Sequence, residues 1–214
     1  MKYILILFSL IFLTSCASIN TVQLSLRGTK QSSRDAARHV QKSATYLHQI
    51  FDIIEDGDMI TRMGNKLWSH AIRNLNETDK RFSHIGIIRV RDGKHTVIHV
   101  AGTLSNRRDL VREEPLSDFL RIASKVGVFR AINTDGSKIS DIAVEYIGVP
   151  YDWALDMLCD ESVYCTELIY LVLKRVNPTI VLNTMYVPLF GHHIIPIDAI
   201  TTSEHFKEVF YFIH

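Results

Sequence analysis

Hydrophobic and polar positions divide the chain into three segments with different patterns. Residues 4–13 are apolar apart from Ser9, and residues 17–33 are mostly polar, with Ser, Thr, Gln, Asn and Gly. From residue 34 onward, apolar residues recur at three- and four-residue steps or in short runs, which is typical of packed helices and strands. These patterns predict a leader (residues 1–15), a flexible tether (residues 16–33) and a single folded domain (residues 34–214).

The leader ends in a motif that is typical of bacterial lipoproteins. Residues 4–13 would span only about 15 Å as a helix, half of a bilayer core, so they indicate a secretory signal peptide. The segment closes with Leu13-Thr14-Ser15-Cys16, and small residues before Cys16 resemble a lipobox. We therefore expect Cys16 to carry a lipid that anchors an extracytoplasmic protein to a membrane, on the periplasmic face. An ordinary signal peptide that is cleaved nearby is the alternative.

Apolar spacing in the folded region predicts a mixture of helices and strands. Predicted helices cover residues 34–54, 66–75, 116–124, 139–147 and 163–176. Predicted strands cover residues 58–62, 84–90, 95–100, 126–132, 179–187 and 206–213. Gly57 ends the first helix, Gly148 and Pro150 end the fourth, and Asn177-Pro178 ends the fifth. The order predicts an α+β fold with antiparallel strands in the middle.

Two histidines are brought together by the strongest turn signal in the chain. Asp92-Gly93 favours a two-residue type I′ turn between the strands on either side, because both positions must adopt positive φ. In that register His84 and His99 are diagonal neighbours on one face, within reach of each other. Gly86 faces His99 and leaves open space between the two histidines. A three-residue turn would reverse which face each residue occupies.

The composition argues against several classes of protein and does not indicate a particular function. The 24 Lys and Arg residues nearly balance the 23 Asp and Glu residues, for a formal charge of +1. This balance gives no indication of a nucleic-acid partner or of an anionic membrane face. Three cysteines are too few for a disulfide scaffold, whereas ten histidines provide groups that titrate near pH 7.

Cys165 is the candidate nucleophile. If Ser162 is the N-cap of the following helix, Cys165 lies in its first turn, where free N–H groups and the helix dipole favour a thiolate. The same N–H groups can donate to an oxyanion. A nucleophilic cysteine also needs a base and a group that orients the base. We expect Cys165 to attack, His84 to accept its proton and His99 to hold the His84 ring.

The same residues allow other roles. A cysteine on an apolar helix is commonly a small buried side chain, and Cys159 could form a disulfide with Cys165 in an oxidising compartment. Cys165 and the two histidines could also form a zinc site. Asp152, Asp156 and Asp160 recur at four-residue steps, which indicates a charged helix face rather than a metal site. We predict neither a metal nor a cofactor.

Two motifs resemble the cysteine motif of NlpC-type cell-wall peptidases: Gly148-Val149-Pro150-Tyr151 and Tyr164-Cys165-Thr166-Glu167-Leu168. Here, however, the histidine motif Phe82-Ser83-His84-Ile85-Gly86-Ile87 precedes the cysteine, the reverse of ordinary papain-like order. That order resembles the circularly permuted papain-like hydrolases of the YiiX and YaeF type, which begin with a strand similar to Gly57-Asp58-Met59-Ile60. The resemblance covers residues 57–200, most of the folded region.

The resemblance implies a permuted papain-like fold, in which a helix that carries Cys165 packs on a small antiparallel sheet. It also implies cysteine-dependent hydrolysis of an amide or ester without a cofactor. Tyr151 matches a family tyrosine near the active site, and a role as an ordinary aromatic residue of the core is an equally good interpretation. Both Tyr151 and Tyr164 are candidates for contact with the substrate or the oxyanion. The third catalytic residue of the permuted group is often glutamate, whereas His99 stands here, as in NlpC-type enzymes.

The predicted anchor and the implied chemistry together indicate an envelope substrate. Peptidoglycan peptides are the first hypothesis for an amidase or peptidase at this location. Acylated lipids, as lipid-linked amides or esters, are the alternative, because related papain-like acyltransferases act on lipids. A lipoprotein that binds envelope fragments without catalysis is a third possibility, and the joint presence of Cys165, His84 and His99 argues against it.

Overall fold

The structure, a computed structural model, describes residues 49–102, 109–157 and 161–213. All of them belong to one compact unit that covers residues 41–214. The predicted leader and tether, Cys16, most of the first predicted helix, Cys159 and Asp160 lie outside the described residues. Within the described ranges, no helix is long and apolar enough to cross a bilayer.

A six-stranded antiparallel sheet is the centre of the described part. Its strands, in chain order, are β1 (Met59–Gly64), β2 (His84–Arg91), β3 (Lys94–His99), β4 (Arg112–Pro115), β5 (Ala123–Ala131) and, nearest the C-terminus, β8 (Phe206–Ile213). Their spatial order is β4-β3-β2-β1-β5-β8. A separate hairpin pairs β6 (Met185–Val187) with β7 (His192–Ile194). The predicted α+β class with a central antiparallel sheet is confirmed.

Helices cover both faces of this sheet. They are α1 (Leu67–Arg73), α2 (Leu116–Leu120), α3 (Gly136–Val144), α4 (Cys165–Val176) and α5 (Asp198–Thr201), and residues 49–53 are also helical. Because side chains alternate along a strand, each face has its own apolar core. Ile85 and Ile87 pack with α3 and α4 on one face, whereas Ile88 and Val97 pack with α2 and residues 50–54 on the other.

The hairpin of β2 and β3 has the predicted register. Asp92 and Gly93 have φ values of 51° and 71°, as a type I′ turn requires. Gly86, in contrast, does not leave open space. A Cβ atom there would lie 2.6 Å from Val97 Cγ1 and 2.9 Å from His99 Cβ, so the glycine lets two side chains of β3 close over β2. The prediction of open space at Gly86 was therefore wrong.

Several elements differ from the predicted pattern. The stretch predicted as a strand over residues 179–187 forms only the short β6, and the helix predicted over residues 116–124 is α2, followed by β5 from Ala123. Strand β4, with the sequence Arg112-Glu113-Glu114-Pro115, was not predicted at all. It is an edge strand that pairs only with β3, and its polar side chains give no apolar alternation to recognise.

Candidate active site

Helix α4 begins at Cys165, and its N-cap is Tyr164. The Ser162 N-cap predicted from the sequence was therefore wrong by two residues, although Cys165 does lie in the first turn. The N–H of Tyr164 donates to Glu167 Oε2 at 3.2 Å, which is one half of a capping box. The hydroxyl of Tyr164 accepts the N–H of Ile195 at 2.9 Å. These contacts hold the start of α4 in place.

Cys165 carries a free thiol, and Cys159, its partner in the disulfide alternative, lies outside the described residues. Burial raises the pKa of Cys165 to about 11, although the backbone N–H groups of Ile85, Thr166 and Cys165 itself lower it. The expectation that the helix N-terminus favours a resting thiolate was therefore incomplete, because burial outweighs the N–H groups. The resting thiol is neutral near pH 7.

Two imidazoles and a carboxylate form a series of contacts that begins at His84, which lines a cavity together with Cys165. His84 Nε2 lies 2.8 Å from His99 Nδ1, so the contact predicted from the hairpin register is present. His99 Nε2 lies 2.9 Å from Glu114 Oε1. Sequence reasoning missed Glu114; the glutamate common at the third position of the permuted group was the available signal, but β4 itself was not recognised.

The contacts among His84, His99 and Glu114 determine which ring nitrogens carry protons. Glu114 is a carboxylate, because its contact with His99 lowers its pKa to about 2. Burial lowers the pKa of His99 to about 4, so this ring holds one proton near neutral pH. A carboxylate only accepts, so that proton is assigned to Nε2 of His99, and Nδ1 then accepts the Nε2–H of His84. Nδ1 of His84 is left as the free base.

His84 is also neutral at rest. Burial lowers its pKa well below the ordinary value, and the positive charges of Arg62 and Arg112 act in the same direction. Arg62 is the β1 residue paired with His84 on β2, and Arg112 is the β4 residue paired with His99 on β3. The guanidinium of Arg62 lies over the ring of Phe119, 4.1 Å from its centroid.

A cavity of about 390 Å³ opens at this end of the sheet, and both Cys165 and His84 line it. Cys165 lies on the face of the sheet that α4 covers, where the N–H of Ile85 contacts its sulfur. The side chain of His84 lies on the opposite face of β2. Apolar side chains form part of the wall, and so do three cationic ones: Arg62, Lys66 and Arg112. Among the described residues that line it, none is acidic.

The two predicted tyrosines have different surroundings. Tyr151 lines the cavity together with Cys165, and its ring packs edge-on against Trp153. Tyr164 does not line this cavity, and its hydroxyl is engaged by Ile195. Burial raises the pKa of both phenols, so both are neutral.

Asp152 and Asp156, two of the three aspartates predicted on a charged helix face, do not lie on a helix, and Asp160 lies outside the described residues. Residues 151–157 are not helical, and the carboxylate of Asp152 accepts the backbone N–H groups of Ala154 and Asp156. Across the described ranges, no group of three or more His, Cys, Asp or Glu side chains has an arrangement that could hold a metal ion. The zinc alternative for Cys165 and the two histidines therefore has no support in this geometry.

Comparisons with known proteins agree with this arrangement. A family model described as "Permuted papain-like amidase enzyme, YaeF/YiiX, C92 family" matches residues 54–191. A crystal structure described as that of the metalloprotein YiiX from Escherichia coli O157:H7 is similar with a TM-score of 0.63 at 20% identity. The similarity covers 76% of this chain and 99% of that one, and at this identity it shows the fold alone. No curated protein matches the chain.

Proposed function

Since the chain belongs to the family of permuted papain-like amidases, we propose that it hydrolyses amide bonds with Cys165 as the nucleophile and His84 as the base. The predicted fold and the class of cysteine peptidase or amidase are confirmed by this membership. The observation that carries the residue assignment is a cavity that both Cys165 and His84 line, with His99 hydrogen-bonded to His84 and Glu114 in contact with His99.

The attack begins from a neutral thiol and a neutral imidazole. As Sγ of Cys165 bonds to the carbonyl carbon, its proton passes to Nδ1 of His84 and the C=O electron pair moves to oxygen. Backbone N–H groups at the start of α4 lie beside the sulfur and are suited to receive this oxyanion. The imidazolium of His84 then donates to His99 Nδ1, and the carboxylate of Glu114 stabilises the positive charge through His99.

Collapse of the tetrahedral intermediate completes acylation. The C–N bond breaks as His84 gives its proton to the leaving nitrogen, which departs as an amine and leaves a thioester on Cys165. Water then attacks the thioester, His84 accepts the water proton, and the acid product leaves with the thiol restored.

We propose peptides of the cell wall as substrates and the periplasmic face of the envelope as the location. The predicted lipid on Cys16 supports the location, and the motif similarity to NlpC-type peptidases supports the substrate. Acylated lipids are the second candidate, because Trp68, Ile72 and Val100 give the cavity an apolar wall suited to an acyl chain.

Product analysis on a panel of muropeptides, N-acylated lipids and lipid esters tests this function. Wild-type protein is expected to release an amine or alcohol from one class, and Cys165→Ala protein is expected to release none. Tyr186→Ala, an exposed change outside the cavity, is the matched control and is expected to retain activity. Absence of any Cys165-dependent product across the panel would contradict the proposal.

A further inference from the structure

The cavity beside Cys165 holds more positive charge than the described protein around it balances. Arg62 is only 7% exposed, yet no carboxylate of the described residues lies within 4 Å of its guanidinium. Its hydrogen bond goes to the carbonyl oxygen of Phe119. A buried cation without an opposite charge is costly, and burial lowers the pKa of Arg62 only to about 10, so it remains charged.

Neighbouring groups add to this excess rather than remove it. Arg112 and Lys66 also line the cavity, and the charge of Arg112 is close enough to disfavour that of Arg62. The nearest balancing carboxylate is Glu114, whose Oε2 lies 3.4 Å from Arg112 Nε while its Oε1 contacts His99. One carboxylate that is already shared cannot neutralise three cations.

We propose that Arg62 and Arg112 form a subsite for an anionic group of the substrate, a carboxylate or a phosphate. Planar guanidinium groups bind these anions with two parallel hydrogen bonds, and the cavity lacks an acidic lining that would repel them. Because Cys165 lines the same cavity, the anion belongs to the molecule whose carbonyl is attacked. The proposal rests on the proposed hydrolase function and narrows its substrates to acids.

The two sources of the anion are separated by matched substrate pairs. One pair is an acyl dipeptide with a free C-terminal carboxylate and the same dipeptide as its carboxamide. The other pair is an N-acyl phosphoethanolamine and the corresponding N-acyl ethanolamine. In one pair, the wild-type kcat/KM is expected to favour the anionic member by about tenfold or more, because hydrogen bonds to charged groups contribute that much.

Arginine variants test the assignment to these two side chains. Arg112→Gln, whose side chain is 42% exposed and should not disturb folding, is expected to remove most of the preference by raising KM for the anionic member alone. Arg62→Gln is expected to remove the preference as well, together with a smaller loss of kcat that is common to both members, because Arg62 also lowers the pKa of Cys165. Arg89→Gln is the matched control, since Arg89 lies on β2 outside the cavity and contacts Glu113. Its preference is expected to equal that of wild type.

The proposal is overturned if wild type hydrolyses both members of each pair equally, or if the preference survives in both arginine variants. Equal losses for anionic and neutral members would also overturn it, because the arginines would then serve the thiolate or the oxyanion.

Calorimetric binding to Cys165→Ala protein separates this inference from the proposed function. If wild type hydrolyses nothing, the anionic dipeptide is still expected to bind more tightly than its carboxamide, and Arg112→Gln is expected to remove the difference. That result would support the subsite and contradict the hydrolase function. Equal binding of the two dipeptides and of the two ethanolamines would overturn the subsite.

Discussion

Strand β1 has buried charge near both of its ends, and the two clusters differ in how that charge is balanced. At the start, Asp58 is 1% exposed and binds Arg130 through both carboxylate oxygens, at 2.8 and 2.9 Å. Arg130 also contacts Glu55. Towards the other end, Arg62 has no such partner among the described residues and faces a cavity. We refer to these groups as the Asp58 cluster and the Arg62 cluster.

The charges of the Asp58 cluster are balanced within the fold, whereas those of the Arg62 cluster are not balanced by the described residues around them. In the Asp58 cluster, a carboxylate, a guanidinium and the N–H of Glu55 satisfy one another, and they join the turn before β1 to β5. In the Arg62 cluster, Arg62, His84 and His99 all pack against the ring of Phe119, and the one carboxylate, Glu114, contacts His99. An unbalanced charge beside an open cavity can be balanced by a bound ligand or can take part in a reaction.

The largest effect is expected in the Arg62 cluster. His84→Gln should lower kcat by about a hundred- to ten-thousandfold, because it removes the group that accepts and returns the proton. The melting temperature should stay close to that of wild type, since glutamine keeps a polar group of similar size at this position. Steady-state kinetics and thermal unfolding measure the two quantities. A variant that keeps a tenth of the wild-type kcat would exclude His84 as the base.

The Asp58 cluster should show the opposite response. Asp58→Asn is expected to lower the free energy of unfolding by about 2–3 kcal/mol, because Arg130 loses its charged, two-point partner. The kcat of the folded fraction should not change. Urea denaturation and kinetics at low temperature provide the measurements. Glu55→Gln is the control, with a change of about 0.5 kcal/mol or less, because Glu55 is 66% exposed. A large loss of kcat in Asp58→Asn would remove the distinction between the clusters.

Glu114→Gln changes the one carboxylate of the Arg62 cluster. We expect kcat to fall by about tenfold or more, because Glu114 stabilises the imidazolium only through His99. Glu114 raises the pKa of His99, so its loss should move the acidic limb of the kcat profile to lower pH. A purely structural role would leave that limb in place. Glu113→Gln, the neighbouring change on β4, should leave both the rate and the pH profile unaltered.

The smallest effect concerns the resting thiol. Iodoacetamide reacts with the thiolate, and burial raises the pKa of Cys165 to about 11. Its alkylation should therefore be slow at pH 7 and rise about tenfold per pH unit, followed by mass spectrometry of the peptide that contains Cys165. Arg62 lowers this pKa, so Arg62→Gln should react more slowly than wild type at pH 9. A reaction midpoint below pH 8 would show a preformed thiolate instead.

The sequence predicted the parts of this site that depend on local signals. Asp92-Gly93 defines the hairpin turn, and from that turn alone the contact between His84 and His99 follows. Cys165 was recognised from its motif and from its place near a helix start. The family and fold follow from the order of these motifs along the chain.

The parts that depend on distant contacts were not predictable. Glu114 reaches His99 only because a polar edge strand pairs with β3, and nothing periodic marks that strand. Tyr164 becomes the N-cap because its hydroxyl is bound by Ile195 and its N–H by Glu167, groups that no local pattern brings together. The spacing placed Arg62 on a strand, but the absence of a carboxylate partner for it among the described residues is a property of the packed structure.

The contact between His84 and His99 joins residues only 15 positions apart, within one hairpin. The contact between the Cys165 sulfur and the N–H of Ile85 instead links two remote parts of the chain. Hairpins form in about 1–10 μs, whereas docking of remote elements is slower. In refolding, the base should thus be assembled before the nucleophile arrives. The rate at which the Cys165 thiol loses its reactivity during refolding would then report the last step of folding rather than the first.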